Sequence, residues 1–193
     1  MGKLVVVEGD PVSGTDTHNV SGMGPNPAAP PPTAVYAGVG DYKYSGAITD
    51  QLSDFVTINS TAVALVSSQS SLNAGETAST GGHGGPSGSN FVAGATSVAL
   101  TPTASTLLIT DSPLGTGVPN TGAGSALLTV NSKKVLLDGD KIDTCSGTGA
   151  TADSSVAAQG QDFVTCSGCG GGVDGDGLRV SVRRRRRRVG PTG

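Results

Sequence analysis

The sequence has few of the residues that build a large apolar core. Aromatic residues make up 3% of its 193 residues, tryptophan is absent, and only two methionines occur. Long patterns of leucine, glutamate and lysine with a helical period are also missing, and their absence excludes a helical bundle. Small residues must therefore pack close to the backbone.

Turn-forming residues take the place of bulky ones. The chain contains 31 glycines and 11 prolines, and serine and threonine are abundant. This composition favours short strands joined by many turns. We therefore predict an all-β domain of short strands and glycine-rich loops.

The sequence shows no membrane-spanning or secretory pattern. No stretch approaches the run of about 20 apolar residues that a spanning helix needs. The opening MGKLVVVEGD reaches an acid too early for a secretory signal, so we expect synthesis in the cytoplasm without a signal peptide. The three cysteines, Cys145, Cys166 and Cys169, favour a thiol or metal role over a disulfide framework.

Charge is divided unevenly along the chain. All 15 acidic residues precede residue 178, whereas seven arginines and no acid follow it, six of them in the run at residues 183–188. Like charges packed this closely repel one another and stay solvated unless an anionic partner neutralises them. We predict a domain at residues 1–169, followed at 170–193 by a glycine-rich linker and a flexible basic tail. Binding of the tail to nucleic acid or to an anionic membrane is an open alternative.

A short apolar strand followed by Gly-Asp occurs twice. The segment VVVEGDPV at residues 5–12 matches VLLDGDKI at residues 135–142 position by position. His18 follows the first copy and Cys145 the second. Two further segments, TINS at residues 57–60 and TVNS at 129–132, predict two β-hairpins with Asn-Ser turns and with Val63 and Val135 pointing inward.

Two weaker copies of the strand and turn carry further metal-binding side chains. In one, Gly75-Glu76 replaces Gly-Asp and His83 follows. In the other, residues 160–166 align with residues 139–145, and both end in Thr-Cys-Ser-Gly with Cys166 in the place of Cys145. Four repeated elements thus each end in a histidine or a cysteine.

These four residues predict a metal site. His18, His83, Cys145 and Cys166 form a ligand set that suits one structural, tetrahedral zinc ion. Their wide separations exclude a zinc finger, so the ligands meet only if the strands converge on one point, as in a cone with the metal near its apex. Cys169 is an alternative that either replaces Cys166 or joins it.

The remaining segments are expected to connect these elements. We predict a turn-rich loop after the first Gly-Asp, over residues 9–20. The proline-rich stretch at residues 25–33 predicts an extended, polyproline-like surface connection. Residues 36–53, which gather the three tyrosines, are expected to form an edge strand or a partner-facing loop.

Together these features resemble those of the PAAR-repeat proteins, which form the spike tips of contractile injection systems. The resemblance rests on the strand and Gly-Asp elements, the scattered histidines and cysteines, the small residues and the lack of helical pattern. It covers residues 1 to about 169, and VVVEGDPVSGTDTHNV at residues 5–20 is particularly similar to the PAAR-like tips of injection particles.

The resemblance implies both a fold and a function. Members of the family form a small β-cone with a metal near its apex, seated on a trimeric β-helical spike of type VI secretion systems, phage-like tails and extracellular contractile injection particles. This chain would then sharpen and cap such a spike, one tip per trimer, and help to pierce the target envelope. It would lie at the tip of the particle and be exposed or delivered outside on firing.

The resemblance also implies particular partners and ligands. The partners would be the spike, an effector cargo and, transiently, the target membrane, with no specific nucleic acid. His18 and His83 match the family's histidine places and Cys145 its cysteine place, while Cys166 stands where a further histidine is expected. The literal Pro-Ala-Ala-Arg motif is absent, and the insertion at residues 25–53 is longer than a minimal tip needs.

Two other classes of function fit the sequence less well than a spike tip does. An enzyme is not expected, because the sequence has no P-loop and no G-x-S-x-G motif, and four protein ligands leave zinc no open position. The alternative is a metal-free β-solenoid or adhesin-like structural protein. Metal content separates this alternative from the tip.

Overall fold

A computed structural model describes residues 2–25, 33–78, 81–94, 106–111, 115–144, 154–167 and 179–182. Within these ranges the fold is all-β, as predicted, with a single turn of 3-10 helix at Gly85–Ser87. No helix in the described ranges is long and apolar enough to cross a membrane. The strands are β1 Lys3–Leu4, β2 Pro11–Pro25, β3 Thr33–Asp50, β4 Thr57–Ile58, β5 Thr61–Ala62, β6 Gln69–Leu72, β7 Ser89–Ala93, β8 Thr106–Ile109, β9 Thr116–Pro119, β10 Thr129–Val130, β11 Lys133–Lys134, β12 Lys141–Asp143, β13 Ser154–Val156, β14 Val164–Ser167 and β15 Arg179–Val182.

Six of the strands pair in a closed antiparallel ring, which we call the barrel. Its order is β2, β3, β6, β9, β12 and β13, and β13 returns to pair with β2. The strands β2 and β3 are much longer than the others. Their outer halves extend beyond the ring and pair with β8 and β7. Closure leaves the six barrel strands with no free edge.

Three apolar segments close one end of the barrel, and we call them the three-segment ring. They are residues 5–7, 63–65 and 135–137. The amide of Val6 donates to the carbonyl of Leu136, that of Leu136 to Ala64 and that of Ala64 to Val6, each at 3.0 Å. The outer residues of each segment form bridges to the other two segments. All nine side chains are buried.

Each segment of the ring enters its barrel strand through the same turn. The amide of Val7 donates to the carboxylate of Asp10 at 2.8 Å, and that of Leu137 donates to Asp140 at 2.8 Å. In the third copy the acceptor is the hydroxyl of Ser68, with Leu65 as the donor at 2.9 Å. The Gly-Asp copies therefore have a serine counterpart that the sequence pattern does not reveal.

The turns that lead into the ring are also equivalent. Ser53, Ser125 and Gln161 each accept a hydrogen bond on the side-chain oxygen from the amide three residues later. The predicted Asn-Ser hairpins follow the first two turns and are confirmed as β4–β5 and β10–β11. In the third copy β14 pairs with β1. Two strands from opposite ends of the domain thus form the antiparallel pair that a hairpin forms in the other two copies.

The structure corrects two predictions about connecting segments. Residues 11–20 form the first part of β2 rather than a loop. Tyr36, Tyr42 and Tyr44 lie on β3, which has a neighbour on both sides and buries all three side chains, so residues 36–50 are neither an edge strand nor a partner-facing loop. Polar side chains pointing into the barrel disguise the alternation that marks a strand. Most of the proline-rich connection, residues 26–32, lies outside the described residues.

The basic C-terminal region begins as a strand. β15 pairs antiparallel with β14, with Cys166 opposite Val180, and this pairing adds a third strand beside β1. The ordered pairing therefore extends beyond residue 169. The arginine run at 183–188 lies outside the described residues.

Candidate metal centre

The barrel contains a buried group of three metal-binding side chains, Asp16, His18 and His83. Asp16 and His18 lie two residues apart on β2, so they point to the same side of the strand, which here is the interior. His83 comes from the turn between β6 and β7. Its amide donates to the carbonyl of Glu76 at 2.8 Å, and the Glu76 carboxylate accepts from the amide of Gly82 at 2.8 Å. Glu76 thus fixes the turn that delivers His83.

The three donor atoms form a compact triangle. His18 Nε2 lies 3.2 Å from His83 Nε2, His83 Nε2 lies 3.3 Å from Asp16 Oδ2, and His18 Nε2 lies 3.7 Å from Asp16 Oδ2. A tetrahedral ion with bonds of about 2.0–2.2 Å separates its ligand atoms by roughly 3.3–3.6 Å. The triangle is therefore of the right size to hold a zinc-type ion.

One oxygen of the Asp16 carboxylate accepts hydrogen bonds, and the other accepts none within the described residues. Oδ1 accepts hydrogen bonds from the hydroxyls of Thr144 and Ser154. Oδ2 faces the two histidines, is buried, and makes no hydrogen bond within the described part of the chain. A buried carboxylate oxygen without a partner is costly, and a bound cation removes that cost.

Aromatic side chains surround the two histidines. The ring of Tyr42 meets His18 edge-on at 5.9 Å, and the ring of Tyr44 meets His83 in the same way at 5.6 Å. The Tyr44 hydroxyl bonds to the hydroxyl of Ser70 and donates to the carbonyl of Gly115. Burial raises the pKa of Tyr44 to about 12, so its hydroxyl stays protonated at neutral pH. These rings wall off the histidines, and Tyr44 adds no charge to the site.

The carboxylate is charged in the metal-free protein. Burial raises the pKa of Asp16, but its contacts with His18, His83 and Thr144 outweigh burial and lower the pKa to about 2. A metal ion therefore finds this ligand already ionised at neutral pH. Together with the two imidazoles, it gives the group the nitrogen and oxygen donors that borderline divalent metals bind.

The structure brings together two of the four ligands predicted from the sequence. His18 and His83 meet at the centre. Cys145 follows Thr144 directly in the chain, but both Cys145 and Cys169 lie outside the described residues. Cys166 is not in the group: it lies on β14, is buried beside the three-segment ring and is disulfide-bonded.

The placement of Cys166 shows why the alignment of residues 160–166 with residues 139–145 fails. Hydrogen bonding makes the turn at Gln161 equivalent to the turns at Ser53 and Ser125, not to the Gly-Asp turns. Five residues after each of these three positions come Ile58, Val130 and Cys166, which pack in or against one apolar cluster. Cys166 therefore occupies a position that an aliphatic side chain fills in the other two copies, and its disulfide contradicts the thiol or metal role expected from the sequence.

Asp16 is the member of the group that sequence reasoning missed. Its signal was the spacing Asp16-Thr17-His18, which places the carboxylate and the imidazole on one face only if the segment is extended. Because residues 9–20 were expected to form a loop, this spacing did not indicate that the two side chains share one face.

The three side chains of the centre can bind a cation, which would draw β2 and the His83 turn together. No protein-family model, curated protein or solved structure matches this chain.

Proposed function

We propose that this protein is the tip that caps the trimeric spike of a contractile injection machine. The observation that carries the proposal is the three-segment ring, in which three parts of one chain make the same contacts around a common centre. A single chain that docks on a three-fold axis needs three similar surfaces to meet three identical subunits. The closed arrangement also fits a tip better than a solenoid, whose repeats contact only their neighbours in a row.

The surface beside the ring supplies three candidate contacts. Phe55, Leu127 and Phe163 each lie two residues after the equivalent positions Ser53, Ser125 and Gln161. Phe55 is 69% exposed and Leu127 is 48% exposed, while Phe163 is half-buried against the cluster below. Exposed apolar side chains repeated at equivalent turns are suited to binding a protein surface with matching three-fold symmetry.

In this proposal a zinc ion at Asp16, His18 and His83 stabilises the opposite end of the barrel. A structural zinc contributes on the order of 10 kcal/mol to folding in small domains. This contribution offsets the scarcity of large apolar side chains and keeps the outer halves of β2 and β3 from fraying under load. Cys145 remains the candidate fourth ligand, because it follows Thr144, whose hydroxyl bonds to Asp16; this role requires that Cys145 is not the partner in the Cys166 disulfide.

Co-purification with a trimeric β-helical spike protein tests the docking. We expect one copy of this chain per three spike subunits. Changing Phe55 and Leu127 together to serine should abolish the complex, because it removes the two most exposed contacts. Leu108→Ser is the matched control, since Leu108 is 69% exposed on β8, away from the ring. Equal loss of binding in both variants, or a complex with one copy per spike subunit, would contradict the proposal.

A further inference from the structure

A second carboxylate lies behind the metal centre. Asp111, two residues beyond β8, places Oδ2 at 3.1 Å from Nδ1 of His18, on the side of the imidazole that faces away from the donor triangle. The side chain of Asp111 is 8% exposed. His18 therefore lies between Asp111 on one side and the Asp16–His83 pair on the other.

Asn19 helps to hold Asp111 in place. The backbone amide of Asn19 donates to Asp111 Oδ2 at 2.9 Å, and the side-chain amide of Asn19 donates to Oδ1 at 2.9 Å. Asn19 follows His18 on β2, so the strand that carries the imidazole also orients its carboxylate partner. This arrangement fixes the direction of Oδ2 toward Nδ1.

The contact determines which nitrogen of His18 carries the proton. An ionised carboxylate can only accept a hydrogen bond, so Nδ1 of His18 must be the donor. The neutral ring then has its lone pair on Nε2, which is the atom that faces His83 and Asp16. A carboxylate that orients a metal-binding histidine in this way also makes the imidazole a better ligand.

Hydrogen bonds also orient Asp16, the other candidate ligand on β2. Thr144 and Ser154 hold Oδ1 of Asp16 and leave Oδ2 directed at the histidines. Thr144 follows β12 and Ser154 begins β13, so two further barrel strands help to fix the donor atoms. Both β2 ligands are therefore oriented before an ion binds.

We propose that Asp111 is a positioning residue for the metal centre: it selects the His18 tautomer whose Nε2 lone pair binds the ion. This inference rests on the metal site in the proposed function, but it does not depend on docking to a spike. It makes one prediction for the metal-free protein and one for the metal-loaded protein.

Nitrogen NMR of the metal-free protein tests the tautomer. With ¹⁵N-labelled histidine, His18 should show a protonated Nδ1 and an unprotonated Nε2 at neutral pH. Asp111→Ala should convert His18 to a mixture or to the Nε2-protonated form. A wild-type spectrum with the proton on Nε2 would overturn the proposal, whether or not the protein binds metal.

Titration of metal-free protein with Zn²⁺, or with Co²⁺ followed by its visible absorption, tests the consequence for binding. Asp111→Ala should weaken affinity by roughly 10- to 100-fold. Asp111→Asn keeps an acceptor oxygen and should retain more affinity. The control is Asp41→Ala, because Asp41 on β3 also accepts two side-chain hydrogen bonds, from Thr17 on β2 and Asn90 on β7, but is not part of the metal-binding group. Unchanged affinity in Asp111→Ala would overturn the proposal.

The two variants at Asp111 also guard against misfolding. If Asp111→Ala does not fold, Asp111→Asn removes the charge in a nearly identical side-chain shape; its affinity should fall less than that of Asp111→Ala but still below that of the wild-type protein, and unchanged affinity would overturn the proposal. If wild-type protein binds neither metal, the metal part of the proposed function fails. The tautomer measurement then still decides whether Asp111 orients His18.

Discussion

The two ends of the barrel are closed in different ways. At the three-segment ring the side chains of all nine residues are apolar, and their backbone amides donate to carbonyls or to the side chains of the turns that follow. At the metal centre the same kind of interior holds a charged carboxylate and two imidazoles, with the Asp16 Oδ2 oxygen left without a hydrogen bond in the described part of the chain. The first end contains no group suited to a metal ion among the described residues, whereas the second has three side chains that can hold one.

This difference separates the ring, which stabilises the fold, from the metal centre, which can bind a ligand. The ring is built from short apolar segments that alternate between two buried clusters, so it tolerates little change but needs no ligand. The metal centre is polar, and its ligands come from β2 and from a separate turn. Removing the ion should therefore loosen one end and spare the other.

The largest expected effect is that of metal removal. Chelation should open the amides of β2 from Asp16 to Val20 to hydrogen exchange, because the carboxylate and imidazoles lose their shared ion. The amides of Val6, Ala64 and Leu136 should keep their protection. Exchange measured residue by residue before and after chelation checks this. Uniform loss of protection at both ends would show that they are not independent.

A cavity at the ring is expected to have the next largest effect. Leu136→Ala removes a fully buried side chain and should lower the free energy of unfolding by about 2–5 kcal/mol. Ala64 occupies the equivalent position in another segment of the ring, so alanine is compatible with the backbone hydrogen bonds there. The control is Leu108→Ala, which alters an exposed side chain and should cost less than about 0.5 kcal/mol. Urea unfolding measures both, and equal costs would contradict the placement of Leu136.

A smaller effect should appear in the pH dependence of metal-free protein. The folded pKa of Asp16 is about 2, below the value of roughly 3.9 expected in the unfolded chain. Relative to its protonated form, ionised Asp16 therefore stabilises the fold above pH 4, and this contribution, about 2–3 kcal/mol, is lost as the pH falls through 2. Asp16→Asn should lack this step. Unfolding free energies measured from pH 6 to pH 2 compare the two proteins, and parallel curves would contradict the assignment.

The smallest effect concerns a turn next to the ring. Asn131 and Ser132 both have positive φ, at 49° and 62°, as do Asn59 and Ser60 in the equivalent hairpin. Asn131→Ala should cost about 1 kcal/mol, because alanine disfavours this left-handed conformation, while Asn131→Gly should cost little. Thermal unfolding of the two variants checks the turn. Greater loss with glycine than with alanine would contradict this backbone conformation.

The sequence alone predicted the parts of the fold that rest on local chemistry. The Gly-Asp turns at residues 9–10 and 139–140 and the two Asn-Ser hairpins were readable, because glycine and asparagine mark positive φ. The third turn was hidden, since Ser68 performs the role of the aspartates without the Gly-Asp pattern. The third strand pair, β1 with β14, could not be predicted either, because its two strands come from opposite ends of the domain.

The metal centre was predictable only in part. His18 and His83 were found because each follows a copy of the repeated strand and turn, with Gly-Asp before His18 and Gly-Glu before His83. Asp16 was missed because polar residues facing inward made β2 look like a loop. Cys166 was included because Thr-Cys-Ser-Gly occurs twice, although pairing with β1 assigns it an aliphatic position. Which distant turns are equivalent is determined by tertiary hydrogen bonds, and short sequence matches do not reveal it.

The most direct measurement is the metal content of the purified protein and of its Asp16→Ala and His83→Ala variants. Elemental analysis should find one zinc-type ion per wild-type chain and a large loss in both variants, while Cys166→Ser keeps its metal. Wild-type protein without metal, or variants that retain a full complement, would contradict the proposal that Asp16, His18 and His83 close this end of the barrel around an ion.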